Sequence, residues 1–374
     1  MKMKKQPKNS KNNVKRIFNF TLLILAISLA VLVISIYSTE FAEWYSNCVS
    51  SVIRQILSFV SGVFPFSVAE IILYAVPLII VLIILNVVRK VRSKNFVLSH
   101  FLYRLLSVIM LLVILFINTF AVCYLRQPLE KNLNLHRRSI DRDEAYESAL
   151  FLKRQLDNVV DSIEFDDSGA SVNPHSWSSM DNLIDAGYDK LSSAYDFITR
   201  IHSKPKQILI SPLMTYTHIS GIYMPFTGEA NVNTNYPDYV VAFTMAHEKA
   251  HQRGIASEDE ANFVAFLALL ASDDEYLNYC ALMTMYDYFL DSLIVNDFEM
   301  YNHLLSSTDY RIIGEMRAYS KFFDKYRDSG TSKIADAVND TYLKTMGEDK
   351  GVESYGMVVE LFFAYIEKNN GLPY

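Results

Sequence analysis

The chain has 374 residues, a formal net charge of −6 and 51% hydrophobic residues. Its acid excess lies in residues 126–374, with 22 Lys and Arg against 38 Asp and Glu, which argues against nucleic acid as a partner because such binding is driven by neutralising phosphates. Three scattered cysteines, Cys48, Cys123 and Cys280, make neither a disulfide framework nor a Cys-rich metal site, so any metal must rest on nitrogen and oxygen ligands.

Residues 1–16 form a basic tail with seven Lys or Arg and no acid. Three uncharged stretches follow, 17–39, 71–88 and 105–125, each long enough to cross a hydrocarbon layer of ~30 Å as a helix. The first is longer than the apolar run of a cleavable signal peptide and lacks a small-residue cleavage site, so it reads as an anchor. The basic tail and Arg89, Lys90, Arg92 and Lys94 after the second stretch place both segments in the cytoplasm, which sends residues 126–374 to the outer face. Within the membrane region, 17–125, the segment 52–66 is apolar with a single charge, Arg54, and is broken by Pro65. It is too short to span and reads as interfacial or re-entrant.

Residues 126–374 are expected to fold as one mainly α domain with a small β-sheet. Helical spacing runs through 141–163, breaks at Gly169, Ser171 and Pro174, and resumes over 180–201. Residues 208–212 and 220–233 mix β-formers with Gly and Pro, predicting a short sheet whose outer strand borders a cleft. Tyr223 or Asn231 would there orient a substrate carbonyl, an ordinary hairpin being the alternative. A helix is expected from Glu258 to about Ala271, and the remainder is mostly helical with loops near Ser307, Ser329 and Gly347.

Residues 247–251 read HEKAH. On a helix, His247 and His251 lie one turn apart on one face, so both imidazoles can bind one Zn²⁺ while Glu248 points at the water on the metal. With 8 His in 374 residues, chance would produce about 0.01 such matches. Pro237 and the apolar Val240, Val241, Phe243 and Met245 predict the helix that carries the motif. Gly254 ends it as a left-handed residue and turns the chain back toward the metal. Glu258 is the expected third ligand, with Glu260 as runner-up. Both could instead serve a helix N-terminus, where Ser257 and Glu260 have the spacing of a capping box.

The spacing of Gly254 is similar to that of the metzincins, whose third histidine would fall at Ser257, and the string Glu258-Asp-Glu-Ala-Asn262 resembles the ExxAD element of gluzincins. That second likeness implies Glu258 on zinc and Asn262 supporting a histidine. The run SGIYMPFTGEANVNTNYPDYVVAFTMAHEKAHQRGIASEDEANFVAF, residues 220–266, resembles a bacterial membrane family called domain-of-unknown-function 3810, placed among zincin-like metallopeptidases. The likeness extends to 64–70, 124–129 and 354–359. It implies a membrane-bound zincin fold with His247, Glu248, His251 and a downstream Glu matching the metal motif, and it implies no substrate.

The expected chemistry is therefore peptide hydrolysis at one Zn²⁺ held by His247, His251 and Glu258, with Glu248 as general base and a peptide or protein of the cell envelope as substrate. His218, Tyr223, Arg253 and Tyr355 are candidate donors to the oxyanion, and Tyr355 is preferred because its neighbours resemble the family. The alternatives are a non-catalytic, zinc-stabilised envelope sensor or scaffold, and a membrane protein without metal.

Overall fold

The computed structural model describes residues 8–327, 330–346 and 357–372. The chain opens with five helices: α1 (Lys8–Tyr37), α2 (Thr39–Tyr45), α3 (Ser51–Gly62), α4 (Val68–Arg92) and α5 (Leu98–Thr119), a π-helical turn joining α2 to α3. Three apolar helical segments, Asn13–Tyr37, Val68–Arg92 and Leu98–Leu125, are long enough to cross a membrane. They overrun the expected stretches because flanking polar residues still extend the helices: Ser67 caps α4 by accepting from the Glu70 N–H, and the basic turn Arg89 to Arg92 ends it. After Thr119 the third stretch tightens into a 3₁₀ turn at Ala121–Leu125. Helices α1 and α5 pack side by side, with the Phe18 and Tyr103 rings 4.8 Å apart and Asn118 Nδ2 donating to Ser28 Oγ over 2.8 Å.

The segment 52–66 is mostly α3, a helix whose faces are reversed relative to one on a water-soluble protein. Arg54, Ser58 and Ser61 are buried, while Val52, Ile56, Phe59 and Val63 are exposed. An apolar stripe belongs against an apolar medium, and here it faces away from the protein.

The rest of the chain forms α6 (Leu129–Asn132), α7 (Arg142–Val159), α8 (Trp177–Ala194), β1 (Lys206–Gln207), α9 (Ser211–Met214), β2 (Gly221–Met224), β3 (Glu229–Val232), α10 (Asp238–Gln252), α11 (Glu258–Leu270), α12 (Glu275–Asn296), α13 (Phe298–Ser306), α14 (Tyr310–Phe323), α15 (Gly330–Met346) and α16 (Val358–Asn369). Helix α7 begins at a capping box of Asp141 and Glu144. The sheet has order β1-β3-β2, with β1 parallel and β2 antiparallel to the central β3. Residues 208–212 do not form the expected strand. The strand is Lys206–Gln207, after which the chain turns into α9 with Pro212 in its first turn, a position that needs no N–H.

One apolar core joins α7, α8, α10, α11, α12 and α16, and α11 is buried along nearly its whole length. The loops expected near Ser329 and Gly347 lie outside the described residues, whereas Ser307 follows the end of α13.

Buried polar contacts fasten this core to the N-terminal helices. Glu229 of β3 accepts from the Val68 and Ala69 N–H groups at the start of α4, both at 2.8 Å, and Glu70 accepts from the Leu209 and Ile210 N–H groups. Lys206 donates to the carbonyls of Ser61 and Phe64 at the end of α3. Arg126, just past α5, makes a two-point pair with Glu43 at 2.6 and 3.0 Å. Removing one partner of a buried pair leaves the other uncompensated. Arg126→Ala is therefore expected to destabilise the protein by about 3–5 kcal/mol, read from denaturant unfolding of the detergent-solubilised chain, and Arg126→Lys by less.

Candidate metal centre

The motif helix α10 ends in a turn made possible by one glycine. Gly254 has φ +88°, where an added Cβ would also lie 2.7 Å from Arg54 Nη2. The turn brings the Ile255 carbonyl within 2.8 Å of His251 Nδ1 and starts α11 with Glu258 facing back toward α10. Because Nδ1 donates to Ile255, neutral His251 carries its lone pair on Nε2.

His247, His251 and Glu258 each offer an atom within 4.8 Å of the others, and all three residues are buried. Glu258 Oε2 lies 3.2 Å from His247 Nε2 and 3.4 Å from His251 Nε2. Zinc bonds of ~2.0–2.1 Å in a tetrahedron set neighbouring ligand atoms roughly 3.3 Å apart, so the spacing and donor set suit that ion. Asn262, one turn along α11 from Glu258, interacts with the His247 side chain.

Glu260 turns elsewhere, accepting from the Leu129 N–H at 2.6 Å, so of the two candidate ligands only Glu258 joins the histidines. The capping box expected from Ser257 and Glu260 does not form. Ser257 donates instead to Asp259 Oδ1 at 2.6 Å, and Asp259 pairs with Arg137.

Glu248 is buried beside the cluster. The Tyr223 backbone N–H of β2 bonds its carboxylate, while Oε2 has no hydrogen-bond partner among the described residues. The close approach of β2 requires Gly221, where an added Cβ would fall 2.5 Å from Glu248 Oε1.

The charges follow from this crowding. Burial pushes Glu248 up to about 8, against an opposing pull from His251. Burial disfavours charge on His251, but facing Glu258 carries it up to about 9. Burial and the nearby His251 push His247 down. Burial alone would raise Glu258, yet the two imidazoles hold it well below the usual carboxylate range.

The other side of α10 is locked to α8. Lys249 is fully buried and pairs with Asp181 and with Asp185 at 2.9 Å, Arg253 Nη2 reaches Asp185 at 2.8 Å, and the Arg253 guanidinium stacks 4.0 Å over Tyr188. Arg253 is thereby a positioning group for the helix rather than a donor aimed at the cluster. His218 is likewise engaged, its Nε2 2.8 Å from the Tyr326 carbonyl. Tyr223 directs its ring to Phe120 and reaches the site through its backbone, and Asn231 lies on the central strand β3 with its amide donating to Ile222 and Glu229 carbonyls. Tyr355 lies outside the described residues.

Sequence reasoning missed the groups that arrive from the N-terminal helices. Phe120 sets its ring edge-on to His251 at 5.9 Å. Arg54 Nη2 donates to the Arg253 carbonyl at 3.4 Å and Arg126 Nη1 to the Gly254 carbonyl at 2.9 Å. The signals were there: Arg54 is the lone charge of an apolar run, and Arg126 lies in one of the segments that resemble the family.

The family model described as a protein of unknown function, domain-of-unknown-function 3810, matches residues 45–363, and the chain belongs to that family. No curated protein and no solved structure matches it.

Two outcomes test the ligand set. Glu258→Gln is expected to weaken zinc binding by more than the roughly 10–100-fold typical of losing an outer-shell partner, and Glu260→Gln to leave it within that range, as measured by competition with a chromophoric chelator. The second outcome concerns pH. His251, raised from 6.5 to about 9, and Glu248, raised from 4.5 to about 8, both bind protons more tightly folded than unfolded, so stability is lost as pH climbs. Between pH 6.5 and 9 the chelator-treated protein should melt at progressively lower temperature. Zinc-dependent stabilisation should grow over the same window, because ligands bind deprotonated; a flat chelated profile would contradict the assigned cluster.

Proposed function

We propose that this protein is a membrane-anchored zinc peptidase whose ligands are His247, His251 and Glu258 and whose general base is Glu248. The observation that carries this reading is the convergence of three metal-suited donors beside a buried carboxylate, one of whose oxygens has no hydrogen-bond partner among the described residues. A purely structural zinc site has no use for that fourth group.

Zinc held there supplies a Lewis acid that activates water near neutral pH and polarises a carbonyl. Glu248, fixed at one oxygen by the Tyr223 N–H, takes the proton from the attacking water and returns it to the leaving amine. Strand β2 lies at the edge of the sheet beside α10, where an extended peptide can add by backbone pairing. The three apolar helices serve as spans, and the basic residues before α1 and after α4 put the metal centre on the outer side of the membrane.

All four residues are less than a tenth exposed, which favours a second reading as a zinc-stabilised envelope sensor or scaffold. Under the peptidase reading, substrate enters beside Tyr342 of α15, which is close enough to Glu258 to feel its charge.

The deciding comparison is the full-length protein and Glu248→Gln, loaded with zinc in detergent and given an unfolded protein substrate. The peptidase reading expects one zinc in both and a loss of hydrolysis of about 10³-fold or more in the variant. Zinc in both with no hydrolysis by either would leave the sensor or scaffold.

A further inference from the structure

The level at which the metal centre sits relative to the apolar helices narrows what it can act on. Phe120 follows α5 directly and touches His251, and Phe116, one turn inside α5, has its ring 6.4 Å from Phe226 and 6.5 Å from Tyr342. A ~30 Å hydrocarbon layer accommodates about 20 helical residues, which puts the end of α5 at its outer edge and the cluster within roughly 10 Å of it.

The opposite strand of the site is tied to the same level. Glu229, paired across the hairpin with Met224 of β2, holds the start of α4, and Glu70 in the first turn of α4 holds the backbone at Leu209 and Ile210. At this level the surface turns apolar. Leu209 and Leu213 are 63% and 65% exposed, Ile222 of the edge strand is open, and α3 adds Ile56, Phe59 and Val63. Water-facing loops do not carry such a collar, and its continuity with three exposed apolar helices identifies its occupant as the outer leaflet of a lipid bilayer.

We infer that the metal centre works at the bilayer surface and that its substrates are polypeptides tethered to the membrane, cleaved within a few residues of where they leave it. The substrate class rests on the peptidase reading, whereas the placement at the surface does not.

Two measurements separate them, both on the full-length protein in vesicles of phosphatidylethanolamine and phosphatidylglycerol. In the first, nitroxides are attached at Phe59→Cys, Leu209→Cys, Leu213→Cys and the control Lys190→Cys, in a Cys48→Ser background because Cys48 is exposed. Collisions with oxygen should dominate at 59, 209 and 213, and collisions with a water-soluble nickel chelate at 190. Nickel dominating at 209 and 213 would overturn the placement.

In the second, a single-span synthetic helix carries a quenched fluorogenic peptide either directly after the span or beyond a Pro-rich spacer of about 15 residues, roughly 45 Å. The adjacent reporter should be cleaved about tenfold faster or more, through its higher effective concentration at the site. Equal rates, or faster cleavage of the spaced reporter, would overturn the substrate class while leaving the peptidase standing. No cleavage of either reporter, or of an unfolded soluble protein, by the zinc-loaded chain removes the peptidase reading and the substrate class together, and the nitroxides still decide the placement.

Discussion

The turn from Arg253 to Ile255 is the constraint on which the rest of the site depends. A left-handed residue there reverses the chain within a few positions, so the carbonyl that orients His251 and the carboxylate that faces both imidazoles come from the residues that follow. A side chain at Gly254 would strain the backbone and collide with Arg54. The turn's outer carbonyls are in turn held by Arg54 and Arg126, both rooted in the N-terminal helices. The geometry of the cluster is thus set by parts of the chain about 130 and 200 residues away in sequence.

The electrostatics of that hold are uneven. Arg126 has Glu43 as a carboxylate partner, but Arg54 is fully buried and, among the described residues, donates to the Thr119, Ser46 and Arg253 carbonyls and the Cys123 sulfur. A buried guanidinium solvated only by neutral acceptors is destabilising in itself. Its compensation is specificity of position: the planar fork fits one arrangement of α2, α3, α5 and the turn after α10, and any slip strands a charge. On the opposite side of α10, Asp181 and Asp185 answer Lys249 and Arg253 one helical turn apart, so the motif helix is fixed on both flanks.

Local rules carried much of this into the sequence. The HEKAH spacing, the apolar run before it and Gly254 together specify a helix, its end and its turn, and these are properties of a few adjacent residues. The choice between Glu258 and Glu260 was not local. Both open α11, and what separates them is that the Leu129 N–H is waiting for Glu260, a partner supplied by tertiary packing. The same holds for Ser257, whose expected capping box was lost because its hydroxyl donates to Asp259 and Glu260 is drawn to the Leu129 N–H. Residues 208–212 have strand-forming side chains, but Glu70 binds the Leu209 and Ile210 N–H groups that a ladder would need. The segment 52–66 was legible as interfacial or re-entrant, yet nothing nearby in sequence announced that the polar face of α3 would grip the glycine turn at Gly228, where Ser58 donates to the carbonyl at 2.7 Å.

Joining these contacts yields a physical reason for the long apolar helices beyond anchorage. If the helices after α5 were only tethered to those before, a flexible linker would suffice and the polar contacts would stop at the edge of their core. Instead Phe120 lies against His251, Arg126 against Gly254 and Arg54 against Arg253, so the packing of α3 and α5 is continuous with that of the imidazoles. A shift of α5 relative to α1 would be felt at Phe120 and at the His251 ring it abuts, since close-packed interiors transmit strain. The packing of the apolar helices is therefore continuous with the geometry of the cluster of His247, His251 and Glu258, all of them buried.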